Sequence, residues 1–146
     1  PSILYGIPRT AVSKTSSKVA PRDSEQTKFG LDTEELMKKL DLAKKKDYFL
    51  KADFDLPQCA RELEIPSHHL SYFLNQHLGV SYATYRNAIR IEKAIQFIDD
   101  EFLDLNTMEA LAWECGFASR SAFSKTFKIN TNFTVGQYIK KSKNSA

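Results

Sequence analysis

A cluster of cationic side chains near the end of the chain is the strongest candidate for chemistry. From Ser119 to Ala146 the sequence has no Asp or Glu and six basic residues: Arg120, Lys125, Lys128, Lys140, Lys141 and Lys143. Guanidinium and ammonium groups donate hydrogen bonds to anionic oxygens, above all to phosphates. The net charge of the whole chain is only +3, and acids gather elsewhere, at Asp99, Asp100, Glu101 and Asp104. We therefore expect a basic and an acidic face, with a solvated tail as the other interpretation of residues 140–143.

The elements that must position these cations belong to a unit that occurs twice. Residues from Leu70 to Tyr85 have counterparts 53 positions later, from Phe123 to Tyr138, whereas Ala60 matches Ala112 at an offset of 52. The second copy therefore carries one extra turn residue. Each unit places a small Ala on a short helix, followed by a turn and a second helix, which is the sequence pattern of a helix-turn-helix. In that motif the second helix can enter the major groove of DNA.

Apolar spacing predicts the rest of the fold. From Tyr82 to Phe102 the apolar residues recur every three or four positions, as in one long amphipathic helix, and no segment alternates with the period of a strand. The sequence thus predicts an all-α, homeodomain-like tandem of two helix-turn-helix subdomains joined by a linker helix. Its parts are a flexible, Ser/Thr/Lys/Pro-rich tail (1–30), the first subdomain (31–80), the linker helix (81–103), and the second subdomain with its basic tail (104–146).

Side chains with short polar groups mark the expected helix starts. We expect the first helix to run from a Thr33 cap to about Phe49, and the capping residues of later helices to be Asp55, Ser67, Ser81, Asn106 (paired with Glu109), Ser119 and Thr134. Gly116 and Glu64 hold the same place in the two turns. If that place needs positive φ, Glu64 carries about 1 kcal/mol of strain.

Several function classes find no support in the residues. Cys59 and Cys115 are predicted to be small buried hydrophobes, and adjacent His68 and His69 point about 100° apart on a helix, so we expect neither a disulfide nor a metal site. No nucleophile–base set or phosphate loop occurs, which predicts no catalytic residue, no enzyme and no cofactor. The sequence has no apolar run of membrane-spanning length and no signal peptide. We expect a cytoplasmic protein, and because the chain begins at Pro1 it is either processed or part of something longer.

The stretch ALAWECGFASRSAFSKTFK, residues 110–128, resembles the signature of the AraC/XylS-type bacterial transcription regulators. The predicted linker helix agrees with the family pattern at Tyr85, Asn87, Arg90 and Ala94. The resemblance covers roughly residues 36–141. It departs at Asn132, where the family usually has Gly, and at Val135, where it usually has Pro. Asn tolerates the left-handed conformation, so the first departure is mild.

The resemblance implies that the second helix of each unit enters a major groove of double-stranded DNA. Carried over by position, the residues that touch bases are His68, Ser71, Tyr72, Arg120, Ser121, Ser124 and Lys125. Helical spacing adds Asn75, which faces outward beside Tyr72 and can pair with adenine, and Lys128, which lies on the outer face of the second such helix.

The function that follows is a sequence-specific DNA-binding transcription regulator, for which RNA polymerase is a further partner. The opening residues PSILYGIP resemble segments that precede this module in regulators with membrane-embedded sensory parts. They imply the cytoplasmic output module of a larger sensor protein, with its oligomeric state open. Two alternatives remain. The first unit lacks Arg and Lys on its second helix, as in a degenerate protein-interaction module, and the same module occurs fused to DNA-repair methyl acceptors that use reactive cysteines.

Overall fold

The computed structural model describes residues 32–145, and within that range the chain forms seven helices and no strand. The helices are α1 (Thr33–Lys45), α2 (Leu56–Leu63), α3 (α-helical over Ser67–Phe73 and π-helical over Leu74–Leu78), α4 (Tyr82–Asp99), α5 (Met108–Glu114), α6 (Arg120–Thr131) and α7 (Val135–Ser145). Short 3-10 turns lie at Tyr48–Leu50 and Phe102–Asp104. The predicted all-α tandem is confirmed. The predicted tail, residues 1–30, lies outside the described residues.

Two apolar cores flank α4, which contributes to both. Tyr82, Tyr85 and Ile89 from its first half join a core built on α1 to α3. From its second half, Ile91, Ala94 and Ile98 join a core built on α5 to α7. Burying a large apolar side chain stabilises a fold by about 1.5–3 kcal/mol. One helix anchored at its two ends in different cores therefore fixes the distance between the units.

The two turns of the repeat have matching hydrogen bonds, and each contains a residue with positive φ. Ala60 and Ala112 are buried where α2 crosses α3 and α5 crosses α6. The turns close with matching hydrogen bonds, from the Ile65 amide to the Ala60 carbonyl (3.0 Å) and from the Phe117 amide to the Ala112 carbonyl (2.9 Å). Glu64 has φ 62° and Gly116 φ 94°. The position needs positive φ in both copies, so Glu64 carries the predicted strain.

The start and end of α1 differ from the prediction. Asp32, not Thr33, is the N-cap, and its carboxylate accepts from the amides of the second and third helical residues at 3.1 and 3.2 Å. A carboxylate is well suited to this place because it also complements the positive end of the helix dipole. The helix stops at Lys45 because Asp47 adopts φ 61°, and Phe49 lies in the 3-10 turn that follows.

Two further caps were predicted wrongly, while four were predicted correctly. Ser67 is the first helical residue of α3 after an extended Pro66, and it makes no capping bond. Thr107 caps α5, because the Asn106 amide instead donates to the Phe102 carbonyl of the preceding turn at 2.9 Å. The side chains that accept capping bonds as predicted are Asp55, Ser81, Ser119 and Thr134.

The linker helix is shorter than predicted. It ends at Asp99, and the chain turns through Glu101 at φ 66° before the 3-10 turn that contains Phe102. Three consecutive acids, 99–101, sit at the negative end of the helix dipole, where they do not favour further helix. The turn also folds the Phe102 ring back onto Phe97, with 5.0 Å between ring centroids.

The two departures from the family pattern lie on either side of the turn between α6 and α7. Asn132 adopts the left-handed conformation, φ 68°, that the family usually meets with Gly. At the start of α7 the missing Pro is offset by a reciprocal pair: the Thr134 amide donates to the Gln137 side chain, and the Gln137 amide donates to the Thr134 hydroxyl. The first turn of α7 is therefore capped without Pro at Val135.

The matched turns give a stability test. Replacing Gly116 with Ala should lower the free energy of unfolding by about 2–4 kcal/mol, because positive φ is strained for Ala and its Cβ would lie 2.6 Å from the Leu50 carbonyl oxygen. Replacing Glu64 with Gly relieves the backbone strain but raises the conformational entropy of the unfolded chain. The two effects oppose each other, so the free energy of unfolding should change by less than about 1 kcal/mol. Urea unfolding measures both. Equal effects of the two variants would contradict the packing assigned to Gly116.

Candidate nucleic-acid interface

The outward face of α3 is polar, and the helix contains no Arg, Lys, Asp or Glu. Its inward residues Leu70, Phe73, Leu74 and Leu78 are buried, as predicted. Of the four predicted contact residues, His68 and Asn75 are exposed, and Ser71 and Tyr72 are half-buried. The Asn75 amide donates to the Ser71 carbonyl one turn earlier at 3.1 Å. All four lie along one short helix, which offers donors and acceptors but no fixed positive charge.

The outward face of α6 is cationic. Phe123, Phe127 and Thr131 point inward and are buried. The predicted contact residues on this helix are all exposed: Arg120, Ser121, Ser124, Lys125 and Lys128. Their spacing of one, three or four places puts them on one side of a helix. This side can donate hydrogen bonds to base edges and to phosphates at the same time.

Arg120 has a protein partner that the sequence did not reveal. Its guanidinium lies 3.4 Å from the Glu109 carboxylate of α5, and both side chains are more than half exposed. Such a surface pair contributes only about 0.2–1 kcal/mol. The pair draws the Arg120 side chain, at the start of α6, toward α5.

A groove runs between α6 and the start of α7. It has a volume of about 650 Å³ and is lined by Arg120, Ser124, Lys125 and Lys128 together with Met108, Ile129, Thr134, Val135 and Gly136. The apolar members and the α7 residues were missed from the sequence. The one available signal was the Thr134 cap, since amides at a helix start face toward anions. A Cβ on Gly136 would meet nothing within 4 Å, so the first turn of α7 is open to a ligand.

The second unit also has an acidic face. Residues 94–119 contain six acids and no basic residue, and all six acids are exposed: Asp99, Asp100, Glu101, Asp104, Glu109 and Glu114. Two large apolar side chains lie in the same stretch, Leu105 at 92% exposure and Trp113 at 73%. The predicted separation into a basic and an acidic face stays a prediction, since exposure alone does not place these acids on one side, and Glu109 lies 3.4 Å from Arg120. The exposed Trp113 was not predicted.

Arg90, in the middle of α4, connects the two units. It is only 3% exposed. Its Nε donates to the Phe49 carbonyl at 2.7 Å and its Nη2 donates to the Lys51 carbonyl at 2.8 Å, both at the end of the first 3-10 turn. Its guanidinium also lies 5.6 Å from the ring centre of Phe117 in the second unit. Burial lowers the pKa of Arg90 to about 10, which leaves it cationic at neutral pH.

The turn of the second unit touches the same place. A Cβ on Gly116 would lie 2.6 Å from the Leu50 carbonyl oxygen and 2.8 Å from Nε of Arg90. Glycine is therefore required there twice, once for positive φ and once for this close approach. The second helix-turn-helix thus packs directly against the end of the first 3-10 turn.

Neither cysteines nor histidines form a reactive centre within the described residues. Cys59 and Cys115 are buried free thiols, and burial raises the pKa of each to about 12. The rings of His68 and His69 meet edge to face at 4.5 Å. Across residues 32–145, no three His, Cys, Asp or Glu side chains are grouped so as to hold a metal ion.

Comparison with known proteins assigns the family. A family model described as a helix-turn-helix domain matches residues 59–141, more than half of the chain. The match begins at Cys59 in α2 and ends in α7, so it contains both turns and both outward helices. The chain belongs to the AraC/XylS-type helix-turn-helix family. It is therefore a DNA-binding transcription regulator.

The other comparisons add no relative. No curated protein and no solved structure matches the chain. Among the helices of residues 32–145, none combines the length and the apolar character that crossing a bilayer requires.

The buried thiols give a simple test of the core. At pH 8 a thiol with a pKa near 12 is ionised in about one molecule in ten thousand. Ellman's reagent should therefore leave Cys59 and Cys115 unreacted in the native AraC-type chain for many minutes, and should titrate two thiols at once in 6 M guanidinium chloride. Rapid reaction of either thiol in the native protein would contradict the burial and revive a methyl-acceptor role.

Proposed function

We propose that this regulator is sequence-specific and reads two successive major grooves, with α3 in one and α6 in the next. The observation that carries the proposal is the cationic outward face of α6. The polar outward face of α3 holds the equivalent place in the first unit, whose turn has matching hydrogen bonds. Because one helix, α4, is anchored in both cores, a single chain presents both faces together. No second protomer is needed to span two grooves.

The second unit supplies most of the affinity. Arg120 and Lys125 can donate to O6 and N7 of guanine, and Ser121 and Ser124 can donate to or accept from several base edges. Lys128, one turn further along α6, faces the phosphate backbone together with the open start of α7 at Gly136.

The first unit contributes weaker polar contacts. Asn75 can pair with adenine, and Tyr72 can contact a thymine methyl group or a phosphate, while His68 and Ser71 provide single hydrogen bonds. Since α3 carries no Arg or Lys, its contacts add little electrostatic attraction. The two halves of the DNA site should differ in sequence and in importance, and the site should be asymmetric rather than palindromic.

Spacing favours a bent complex. With 18 residues, α4 is about 27 Å long, which is less than the roughly 34 Å between successive major grooves on one face of straight DNA. A stiff connector shorter than the groove spacing draws the two grooves together. Bending DNA toward the protein costs of order 1–6 kcal/mol, which added contacts recover.

The acidic face suits a protein partner and not DNA. Its carboxylates repel phosphates, whereas exposed Trp113 and Leu105 offer the apolar contact that protein interfaces use. We propose RNA polymerase as that partner, since a regulator acts on transcription through it.

A sensor domain, membrane-embedded or not, would precede the chain; this part of the proposal is based on residues 1–8, which lie outside the described residues. A role on DNA places the chain in the cytoplasm of a bacterium.

One other function is favoured by a specific observation. Because α3 has no fixed cation, the first unit could be a protein-interaction module that leaves DNA binding to α6 alone. Replacing Tyr72 with Ala separates the two functions. Loss of affinity on specific DNA, with random DNA unaffected, supports base contact by α3. Unchanged affinity on both would assign α3 to another partner.

Selection of bound sequences from random duplex DNA tests the main proposal. Two separated preferred segments, unequal in sequence, are expected from reading by α6 and α3. Inserting five base pairs between the selected segments turns one of them to the opposite face of the DNA. Affinity should then fall to that of the segment bound by α6 alone, whereas unchanged affinity would contradict simultaneous reading.

Salt should weaken binding strongly. If about five of the six basic groups from Arg120 to Lys143 neutralise phosphates, log affinity should fall with log salt at a slope of about −4 to −5. Fluorescence anisotropy at 50–300 mM KCl measures the slope. The variant Lys128→Gln should make it shallower by about 1. A slope near zero in the unaltered chain would contradict a nucleic-acid function.

The Arg120–Glu109 pair should limit affinity. Glu109→Gln removes the carboxylate that Arg120 must leave, and it should tighten DNA binding by up to about fivefold, the equivalent of a surface ion pair. Glu114→Gln is the matched control, because it removes the same charge from the same helix without touching Arg120. Equal gains in both variants would mean that only the overall charge counts.

Arg120 itself should determine sequence preference. Arg120→Ala should cost about 1–3 kcal/mol on the selected site and much less on random DNA, because a bidentate base contact is lost. Lys143→Ala, in the basic tail, should weaken binding to both DNAs alike. Competition titrations with the two DNAs give the ratio. An equal loss on both for Arg120→Ala would remove it from the base-reading residues.

A further inference from the structure

We propose that Arg90, which lies inside the protein, is the positioning residue that sets the spacing between the two DNA segments the regulator accepts. The inference rests on the proposed function, in which α3 and α6 bind DNA together. It concerns a different property, which is how exactly the second unit is held relative to the first.

The position of Arg90 is the first argument. On α4 its neighbour Ile89 belongs to the first core and its neighbour Ile91 to the second. Arg90 itself lies at the junction. It donates to the carbonyls of Phe49 and Lys51 in one unit, and its guanidinium carbon lies 5.6 Å from the ring centre of Phe117 in the other. One side chain thus contacts both units at the place where they meet.

The shape of the guanidinium is the second argument. A single helix fixes the separation of two units well, but their rotation about its axis depends on contacts beside it. The fork of Arg90 donates in two fixed directions to two carbonyls two residues apart, which a flexible ammonium group cannot do. These bonds hold the first 3-10 turn against α4, and Gly116 then packs on the Leu50 carbonyl between them.

The path from Arg90 to the DNA-facing helix is short. Phe117, which lies against the guanidinium, packs on Phe123 of α6 with 5.5 Å between ring centroids. Phe123 in turn packs on Phe127 at 5.8 Å. A change at Arg90 therefore reaches the core side of α6 through one ring, while the exposed face of α6 keeps its own residues. We therefore expect a substitution of Arg90 to change the position of α6 relative to α3 while the exposed residues of α6 stay the same.

The test compares Arg90→Met and Arg90→Lys with Arg86→Met. Met fills similar space without the fork, and Lys keeps the charge with a single donor group. Arg86 lies one turn earlier on α4, where it donates to neighbouring Asn87 and its guanidinium lies 5.9 Å from the ring centre of Tyr82. Both contacts stay within α4, so Arg86→Met is a matched control. Circular dichroism and thermal unfolding of each full chain establish that it is folded.

Binding is measured on duplexes in which the two selected segments are moved apart or together by one and two base pairs. The unaltered chain and Arg86→Met should lose at least about tenfold in affinity per shift. In Arg90→Met the loss per shift should be threefold or less, with Arg90→Lys in between. A merely destabilised protein would lose affinity on all duplexes alike and keep its spacing ratio. A folded Arg90→Met with the unaltered ratio overturns the proposal.

A measurement without DNA separates this proposal from the proposed function. Spin labels at Gln76→Cys on α3 and Ala122→Cys on α6 occupy exposed sites, and the native thiols are buried. The distance distribution between the labels should be narrow in the labelled parent and in Arg86→Met, and clearly broader in Arg90→Met. Equal widths overturn the positioning role even if DNA binds as proposed.

A broader distance distribution in Arg90→Met, in a protein that binds no DNA, supports the positioning role of Arg90 and contradicts the proposed function. Loss of helical signal in both Arg90 variants would mean that Arg90 is needed for folding, which also overturns the proposal.

Discussion

A buried guanidinium at the middle of α4 is the constraint on which the arrangement of the two units depends. Taking Arg90 out of water is costly, and its carbonyl hydrogen bonds to Phe49 and Lys51 offset that cost. An apolar residue could fill the space with no such cost, as replacement of buried ions by hydrophobes in other proteins indicates. An apolar residue cannot supply the directional hydrogen bonds that Arg90 makes to these two carbonyls. Because the bonds fix the first 3-10 turn on α4, the Leu50 carbonyl is in place to receive the turn at Gly116, and one glycine completes the contact.

The repeat provides one scaffold with two different surfaces. Both units close their turns with matching hydrogen bonds and a residue of positive φ, and both bury the small Ala at the helix crossing. Outside these positions the two copies are free to differ, since exposed residues contribute little to stability. The second copy uses that freedom for Arg120, Lys125 and Lys128, and the first has neutral polar groups in their place. The protein thereby combines a strongly attracting half with a weakly attracting half.

Local chemistry made much of this structure predictable from the sequence, and distant contacts made the rest unpredictable. Apolar periodicity gave the helices and the inward residues, and Gly116 gave the positive φ of both turns. Caps were less certain because adjacent side chains compete, as Asp32 does with Thr33 and Thr107 with Asn106, and only the backbone direction decides between them. The partners of Arg90 lie about forty residues earlier in the chain, and the groove beside α6 needs the start of α7. Neither could be obtained from spacing along one helix.

The order of acidic and basic residues along the second unit adds a constraint on how the protein approaches DNA. The six acids of residues 94–119 directly precede the six bases of residues 120–143, so this unit is nearly neutral overall but strongly polar. If the two sets of side chains face in different directions, a phosphate surface attracts one and repels the other, which would orient the encounter before contact. The Glu109 carboxylate lies 3.4 Å from the Arg120 guanidinium, and in the proposed mode of binding it competes with phosphate for that group.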